Sequence, residues 1–533
     1  MSGIGAVQFV FLLLLLFVAF FGLLARRLQT PYPIVMVIGG LLLSFVPGMP
    51  AVSLNPDVVF LIVLPPLLYA SAWTTSWRDF RYNLVSILSL AFGLVGFTVI
   101  GVALVAPKVF SGFDWRLGLA LGAIVAPTDA IAATSVARRV GLPSQIVDVL
   151  EGESLINDAT GLLALEFATA IVVKNRIPTM TGGVLTLLWL ILGGIGIGLA
   201  VGWIVNTIER RIDDGPIEIT LSILVPYAAY LAGNAARASG VLAVVVCGLF
   251  LARRSVTFFS PSVRIQIWSV WQSLTFVLNG LVFVLIGLQL PAIRASIRGY
   301  SMSTLLLYGV LFSTLLILLR LLWVFPGAAI AHFVRTRLAH QNQPSPRAKE
   351  TFIIGWTGMR GVVSLAAALA LPTVLADGSP FPHRNLFVFL TFCVIVVTLA
   401  FQGVTLPPLI RGLGLSKAAG PNCEEREARR IVTEAALSHL ADAKNRDDHA
   451  SADLYEDLAS HYRQQLASLQ SSNENQSETT DHERYVELML ETLRIERETL
   501  IGLRDEGRIN DDVLRRLEHE LDLNESRLAT SRP

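Results

Sequence analysis

Thirteen apolar stretches crowd into the first 410 residues of this 533-residue chain, at about 6–25, 32–47, 55–74, 83–107, 115–137, 148–173, 181–206, 217–235, 239–252, 267–290, 303–332, 350–373 and 385–407. A run of roughly 17 to 25 apolar residues is long enough to carry a helix through the hydrocarbon of a bilayer. Within lipid the backbone must satisfy its own hydrogen bonds, which a helix does. The second and ninth stretches are short. Charged residues make up only 16% of the chain, against roughly 25% in soluble domains, and 53% are hydrophobic, with mean hydropathy +0.59. The predicted fold class is therefore an all-α polytopic membrane protein of about thirteen transmembrane helices, spanning 1–410.

Loop charge orients it. With the N-terminus outside, the inner loops hold fifteen basic residues, among them Arg26, Arg27, Arg138, Arg139, Arg210 and Arg211, against eight in the outer loops. This is the positive-inside bias. Arg26 and Arg27 follow the first apolar run and no charge precedes it, so that run reads as a retained helix rather than a signal peptide.

Beyond Pro407 and Pro408 the composition switches to a charged, helix-prone segment, predicted as a cytoplasmic helical domain over 411–533. Blocks at 424–470 and 481–528 are separated by a polar stretch at Ser471–Asn475, with a further break expected at Gly507 and Asn510. A helical hairpin packed on itself or on a dimer mate is the simplest reading. No nucleotide or metal motif implies a cofactor. Cys247 and Cys393 fall in apolar spans and Cys423 in the tail, so no disulfide is expected. A net charge of +1 gives no reason to expect a nucleic-acid partner.

Polar islands interrupt two adjoining spans. Pro127-Thr128-Asp129 lies in the fifth, and Glu153-Ser154-Leu155-Ile156-Asn157-Asp158 in the sixth. Carboxylates inside a bilayer are costly and mark functional sites by default. The two spans meet at a turn around Val140–Pro143, and Asp129 and Asp158 each stand about fifteen residues from it. At about 1.5 Å per residue they reach similar depth in antiparallel neighbours. Ser154 and Asp158 share one helix face, Glu153 and Asn157 an adjacent one. Pro127 removes a helical hydrogen bond, and carbonyls freed by such a break coordinate small cations. An all-oxygen set of carboxylates, hydroxyls and carbonyls suits a hard cation.

Arg320 and Arg360 lie near the middle of the eleventh and twelfth spans, where a buried arginine calls for an acidic partner. Glu153 with Arg320 is the favoured structural pair. None of the eight histidines falls mid-span, so any transported proton must ride on a carboxylate. A carboxylate cannot hold a proton and a cation equally well at once, and that competition is the chemistry of exchange.

Leu64-Pro65-Pro66-Leu67-Leu68-Tyr69, Ala126-Pro127-Thr128-Asp129, Gly152–Asp158, Leu278-Asn279-Gly280 with Leu285–Gln289, and Trp356-Thr357-Gly358-Met359-Arg360-Gly361 together resemble the monovalent cation:proton antiporter family, over about residues 5 to 410. The resemblance implies an inverted-repeat fold with crossed, discontinuous helices, a homodimer, and elevator movement of a core domain. It implies Asp158 as ion-binding aspartate, Asp129 as its support, and Thr128 and Ser154 as hydroxyl contributors. Asn157 before Asp158 resembles the electroneutral members. The expected activity is transport, not catalysis: Na+, with K+ and Li+ as other candidates, against H+ across an inner membrane. A K+/H+ exchanger is the nearest rival. A passive cation channel fits less well, because polarity concentrates near one depth, and an intramembrane aspartyl protease lacks its Gly-x-Gly-Asp context at Asp129. Ala70 and Ser71 stand where some relatives place an acid, and Glu166 has no family role.

Overall fold

The computed structural model describes residues 3–47, 54–174, 180–297, 300–337, 347–416, 423–446, 455–460, 462, 463, 466, 476–506, 508, 517 and 520–525. These separate into two compact units, Met1–Lys417 and Ala418–Pro533. The first contains α1 (Gly3–Arg27), α2 (Tyr32–Leu43), α3 (Pro56–Thr74), α4 (Trp77–Val109), α5 (Trp115–Val125), α6 (Ala130–Val140), α7 (Ser144–Lys174), α8 (Met180–Glu209), α9 (Gly215–Ala235), α10 (Gly240–Phe258), α11 (Pro261–Leu288), α12 (Leu290–Ser296), α13 (Met302–Arg337), α14 (Ala348–Trp356), α15 (Val362–Leu369) and α16 (Arg384–Gly412). The second contains α17 (Cys423–Arg446) and α18 (Gln476–Asp505). Among the described residues there is no strand, only an isolated bridge between Val374 and Pro380.

All thirteen apolar stretches fall on helices, yet a count of thirteen crossings is not confirmed. Nine helical spans are individually long and apolar enough to cross a bilayer, and α5 with α6, bent by 43°, makes a tenth if taken as one. The shortfall has physical causes. α2 has only 12 residues. α14 and α15 have 9 and 8, separated by unwound backbone. In α10 the apolar run stops at Arg253 and Arg254.

Three helices contain a π-helical stretch, at Val59–Val63, Ser89–Leu94 and Thr398–Gln402. Pro65 and Pro66 lack the N–H groups that would close the preceding turn, and the Tyr227 hydroxyl donates instead to the Ile62 carbonyl at 3.0 Å. In α4 the Thr160 hydroxyl donates to the Ala91 carbonyl at 2.7 Å and the Trp323 indole to the Ser89 carbonyl at 3.2 Å. Carbonyls freed from the ladder thus find side-chain donors, as the low-dielectric interior demands.

Two glycines four apart, Gly118 and Gly122, bring α5 onto α4. A methyl at either would sit 2.7 or 2.8 Å from the Cα of Ala103 or Val99, so only the absence of a side chain permits this approach. α6 ends at Gly141 in the left-handed conformation with φ 75°, where a Cβ would be strained. The chain then reverses into α7, laying the two acidic islands side by side.

In the second unit, charged helices carry exposed pairs such as Arg430–Glu427 at 2.6 Å, and Arg497 meets Asp522 and Glu525 at 2.6 and 2.8 Å. Exposed pairs of this kind contribute little stability. The expected breaks at 471–475 and at Gly507 and Asn510 lie outside the described residues.

Candidate cation site at crossed helix breaks

Residues 126–129, between α5 and α6, and 357–361, between α14 and α15, are unwound, and the two breaks touch. The Asp129 backbone N–H donates to the Met359 carbonyl at 2.8 Å. A Cβ on Gly361 would run into the Asp129 carboxylate, so glycine is needed here for space; its backbone is extended, with φ −124°. The Arg360 N–H is taken by the Thr398 hydroxyl at 3.2 Å. The unwound backbone is thereby held in a defined shape.

Asp129 is also the N-cap of α6, its Oδ1 accepting from the Ile131 N–H at 2.8 Å. Around it the polar islands interlock. The Thr128 hydroxyl donates to Glu153 Oε1 at 3.1 Å and accepts from Asn157 Nδ2 at 2.6 Å. The Ser154 hydroxyl donates to the Thr128 carbonyl at 3.0 Å and accepts from the Ala130 N–H at 3.2 Å. Each hydroxyl oxygen keeps one lone pair for a further partner.

Asp158 differs from its neighbours. Among the described residues its carboxylate has no hydrogen bond and no ion pair, although it is largely enclosed in α7. It lines a cavity of about 120 Å³ that it shares with Asp129, Thr128 and Ser154. Ser71, Thr134, Asn279 and Ser364 add to the polar part of that lining, and Leu67 and Phe283 form part of its apolar wall. The wall continues to Thr74 and Glu151, and Glu151 pairs with Arg138 at 2.6 Å.

Glu153 faces away from the cavity. Its two oxygens accept from Arg320 Nη1 and Nη2 at 2.5 and 2.8 Å, and Arg320 also donates to the Ile354 carbonyl from Nη2 at 3.0 Å. Both side chains are almost wholly buried, at 1% and 2% exposure. A bidentate pair this enclosed leaves Glu153 no free charge for an ion.

Arg360 departs from expectation. It is buried, yet no carboxylate lies within ion-pair distance of it among the described residues. Its Nη1 donates to the Gly358 carbonyl at 3.0 Å, and its Nε lacks a partner. The helix break supplies the acceptor that an acid was expected to provide. Glu166 is exposed on α7 and makes no ion pair among the described residues.

Sequence reasoning did not single out the Met359 carbonyl, Gly361, Thr398 or Ser364. The available signal was the pair Gly358 and Gly361 inside an apolar run, which weakens helix as Pro127 does in its own break.

A family model described as sodium/hydrogen exchanger, transmembrane, matches residues 12–412. An uncharacterised Na+/H+ exchanger of Mycobacterium tuberculosis (strain ATCC 25618 / H37Rv) is 33% identical over 516 residues, covering 95% of this chain and 93% of the relative. A sodium, potassium, lithium and rubidium/H+ antiporter of Bacillus pumilus (strain SAFR-032) is 33% identical over 451 residues, 83% of this chain and 66% of that protein. The structure of the sodium proton antiporter MjNhaP1 from Methanocaldococcus jannaschii at pH 8 superposes with a TM-score of 0.59 at 19% identity, covering 78% of this chain and all of that one, a likeness of fold.

Proposed function

The chain belongs to the sodium/hydrogen exchanger family, and from that premise we propose that it exchanges Na+ for H+ at Asp158 by alternating access. The observation that carries this reading is the unpartnered Asp158 carboxylate, lining one cavity with Asp129 and two hydroxyls while Glu153 is spent on Arg320 and Glu151, farther along the wall, on Arg138. A proton neutralises Asp158 in one half of the cycle and a dehydrated cation replaces it in the other. Asp129 adds charge and, through its cap, ties the site to the α6 N-terminus. Thr128 and Ser154 offer their remaining lone pairs. Asn157 orients Thr128, Glu153 with Arg320 braces α7 against α13 and α14, and Arg360 fixes the second break.

Further elements belong to the same proposal. Asn157 in place of a second aspartate supports one cation per proton. The crossed breaks support an elevator movement of the helices that carry them. The cavity wall runs toward the end bearing Arg138 and Arg139, which the positive-inside bias assigns to the cytoplasm. The structure then represents an inward-facing state, with the N-terminus outside, residues 1–410 in the inner membrane as the antiporter domain and residues 411–533 cytoplasmic. α8 exposes Trp189, Leu192, Trp203 and Ile204, an apolar face suited to lipid or to the second copy of a homodimer. K+ transport is the second reading, favoured by the Bacillus relative, which is named for potassium as well as sodium, and nothing in an all-oxygen ligand set separates the two ions.

Proteoliposomes loaded with a pH dye and given Na+, K+ or Li+ in turn test the proposal. Each transported cation should drive proton flux in the wild type and none in Asp158→Asn. Equal flux in the two proteins contradicts it.

A further inference from the structure

Three buried polar side chains at the α8–α9 turn take no part in the site above. Glu209 ends α8, Asn206 lies one turn before it on the same face, and Glu218 lies in the first turn of α9. Their exposures are 1%, 4% and 1%. Each carries an oxygen with no hydrogen-bond partner among the described residues: Asn206 Oδ1, Glu209 Oε2 and Glu218 Oε2. Seven buried side-chain oxygens are unpartnered in the described chain, and three of them cluster in this one turn.

The ordinary structural roles do not account for them. Glu218 Oε1 accepts from the Asp214 N–H at 3.2 Å, a helix-end bond that uses one oxygen and leaves the other. The two glutamates are near enough for their charges to repel. No basic side chain forms an ion pair with either among the described residues. Arg210 and Arg211 on the turn and Arg253 and Arg254 of α10 are exposed, and Arg264 of α11 donates to the Phe259 carbonyl at 2.9 Å. Exposed Asp213 and Asp214 deepen the negative field. Two buried carboxylates whose charges repel at one turn need a compensating positive charge.

We propose that Glu209, Glu218 and Asn206 form a second cation site, separate from the transport cavity, that takes a hard divalent cation of the Ca2+ type. Two carboxylates match its charge, and the oxygen-only donors match its hardness. Ca2+ accepts irregular coordination completed by water, whereas Mg2+ demands a near-ideal octahedron that an end-of-helix turn does not offer. None of the three residues lines the transport cavity. An ion held here would clamp the end of α8 to the start of α9.

The test uses the full chain purified in detergent, in wild-type and Asp158→Asn forms, the second silencing the cavity. Thermal melts are recorded in chelator, in CaCl2 and in MgCl2 at matched ionic strength. Both forms should melt higher with CaCl2 than with MgCl2, and Glu209→Gln/Glu218→Gln should lose that rise while melting at least as high as wild type in chelator. Asn206→Ala should keep the rise but need about tenfold more Ca2+, the order expected for one oxygen contact to a charged partner. No rise in the wild type, an equal rise with MgCl2, or an undiminished rise in the double variant overturns the proposal. If the double variant does not fold, an unchanged Ca2+ requirement in Asn206→Ala overturns it alone.

Discussion

Replacing Glu153 by Gln removes one side of a bidentate ion pair whose members are 1% and 2% exposed. The Arg320 guanidinium would keep its bonds to the Ile354 carbonyl, at 3.0 and 3.3 Å, but lose the charge opposite it. Stranding one member of a buried pair costs about 3–5 kcal/mol. Arg320→Leu leaves Glu153 with only the Thr128 hydroxyl at 3.1 Å and should cost a similar amount. Removing both charges together, as Glu153→Gln/Arg320→Leu, restores an uncharged interior and should cost far less than the summed single losses. Chemical unfolding of the four proteins in mixed micelles gives the cycle directly. Because the Thr128 hydroxyl can still donate to the amide oxygen of the introduced glutamine, cation preference should not change in Glu153→Gln. Single variants as stable as wild type, or a double variant losing the full sum of about 6–10 kcal/mol, would refute the reasoning. Wild-type stability with altered ion preference would move the pair into the ion site itself.

Asp158→Asn should stay folded and lose all cation-driven proton flux, since it keeps volume and removes the carboxylate charge that has no partner in the cavity; size-exclusion profiles and dye quenching read both. Asp129→Asn preserves the Oδ1 cap and should depress flux without destabilising α6, whereas Asp129→Ala should also lose about 1 kcal/mol of helix stability. Gly361→Ala puts a methyl against the Asp129 carboxylate and should cut flux strongly. If Gly361→Ala transports normally, the contact between the two breaks is not what positions Asp129.

Sequence pattern carried a good deal of this architecture for reasons that can be named. Apolar stretches translate into helices because lipid permits little else, and the Gly141 turn follows from a left-handed residue ahead of Pro143. The first break was legible because Pro127 removes a backbone donor. The second was not derivable residue by residue, because Gly358 and Gly361 weaken a helix without forbidding one. Arg360 shows the same limit. Its charge in an apolar span called for an acid, but the acceptor is a carbonyl released by the break, which no residue type announces. Helix number was blurred where unwinding and short runs, as in α2 and α14–α15, make span and segment different things.

The central claim is competition between one cation and one proton at Asp158. It is tested by finding, in proteoliposomes, the pH gradient that nulls flux against a fixed tenfold Na+ gradient at two clamped voltages. One-for-one exchange predicts a null at about one pH unit that does not move with voltage, and no flux in Asp158→Asn. A shift with voltage contradicts the stoichiometry, since each net charge moved adds about 2.3 kcal/mol per 100 mV, roughly fifty-fold in the equilibrium. Na+ flux uncoupled from protons, or persisting in Asp158→Asn, contradicts the account as a whole.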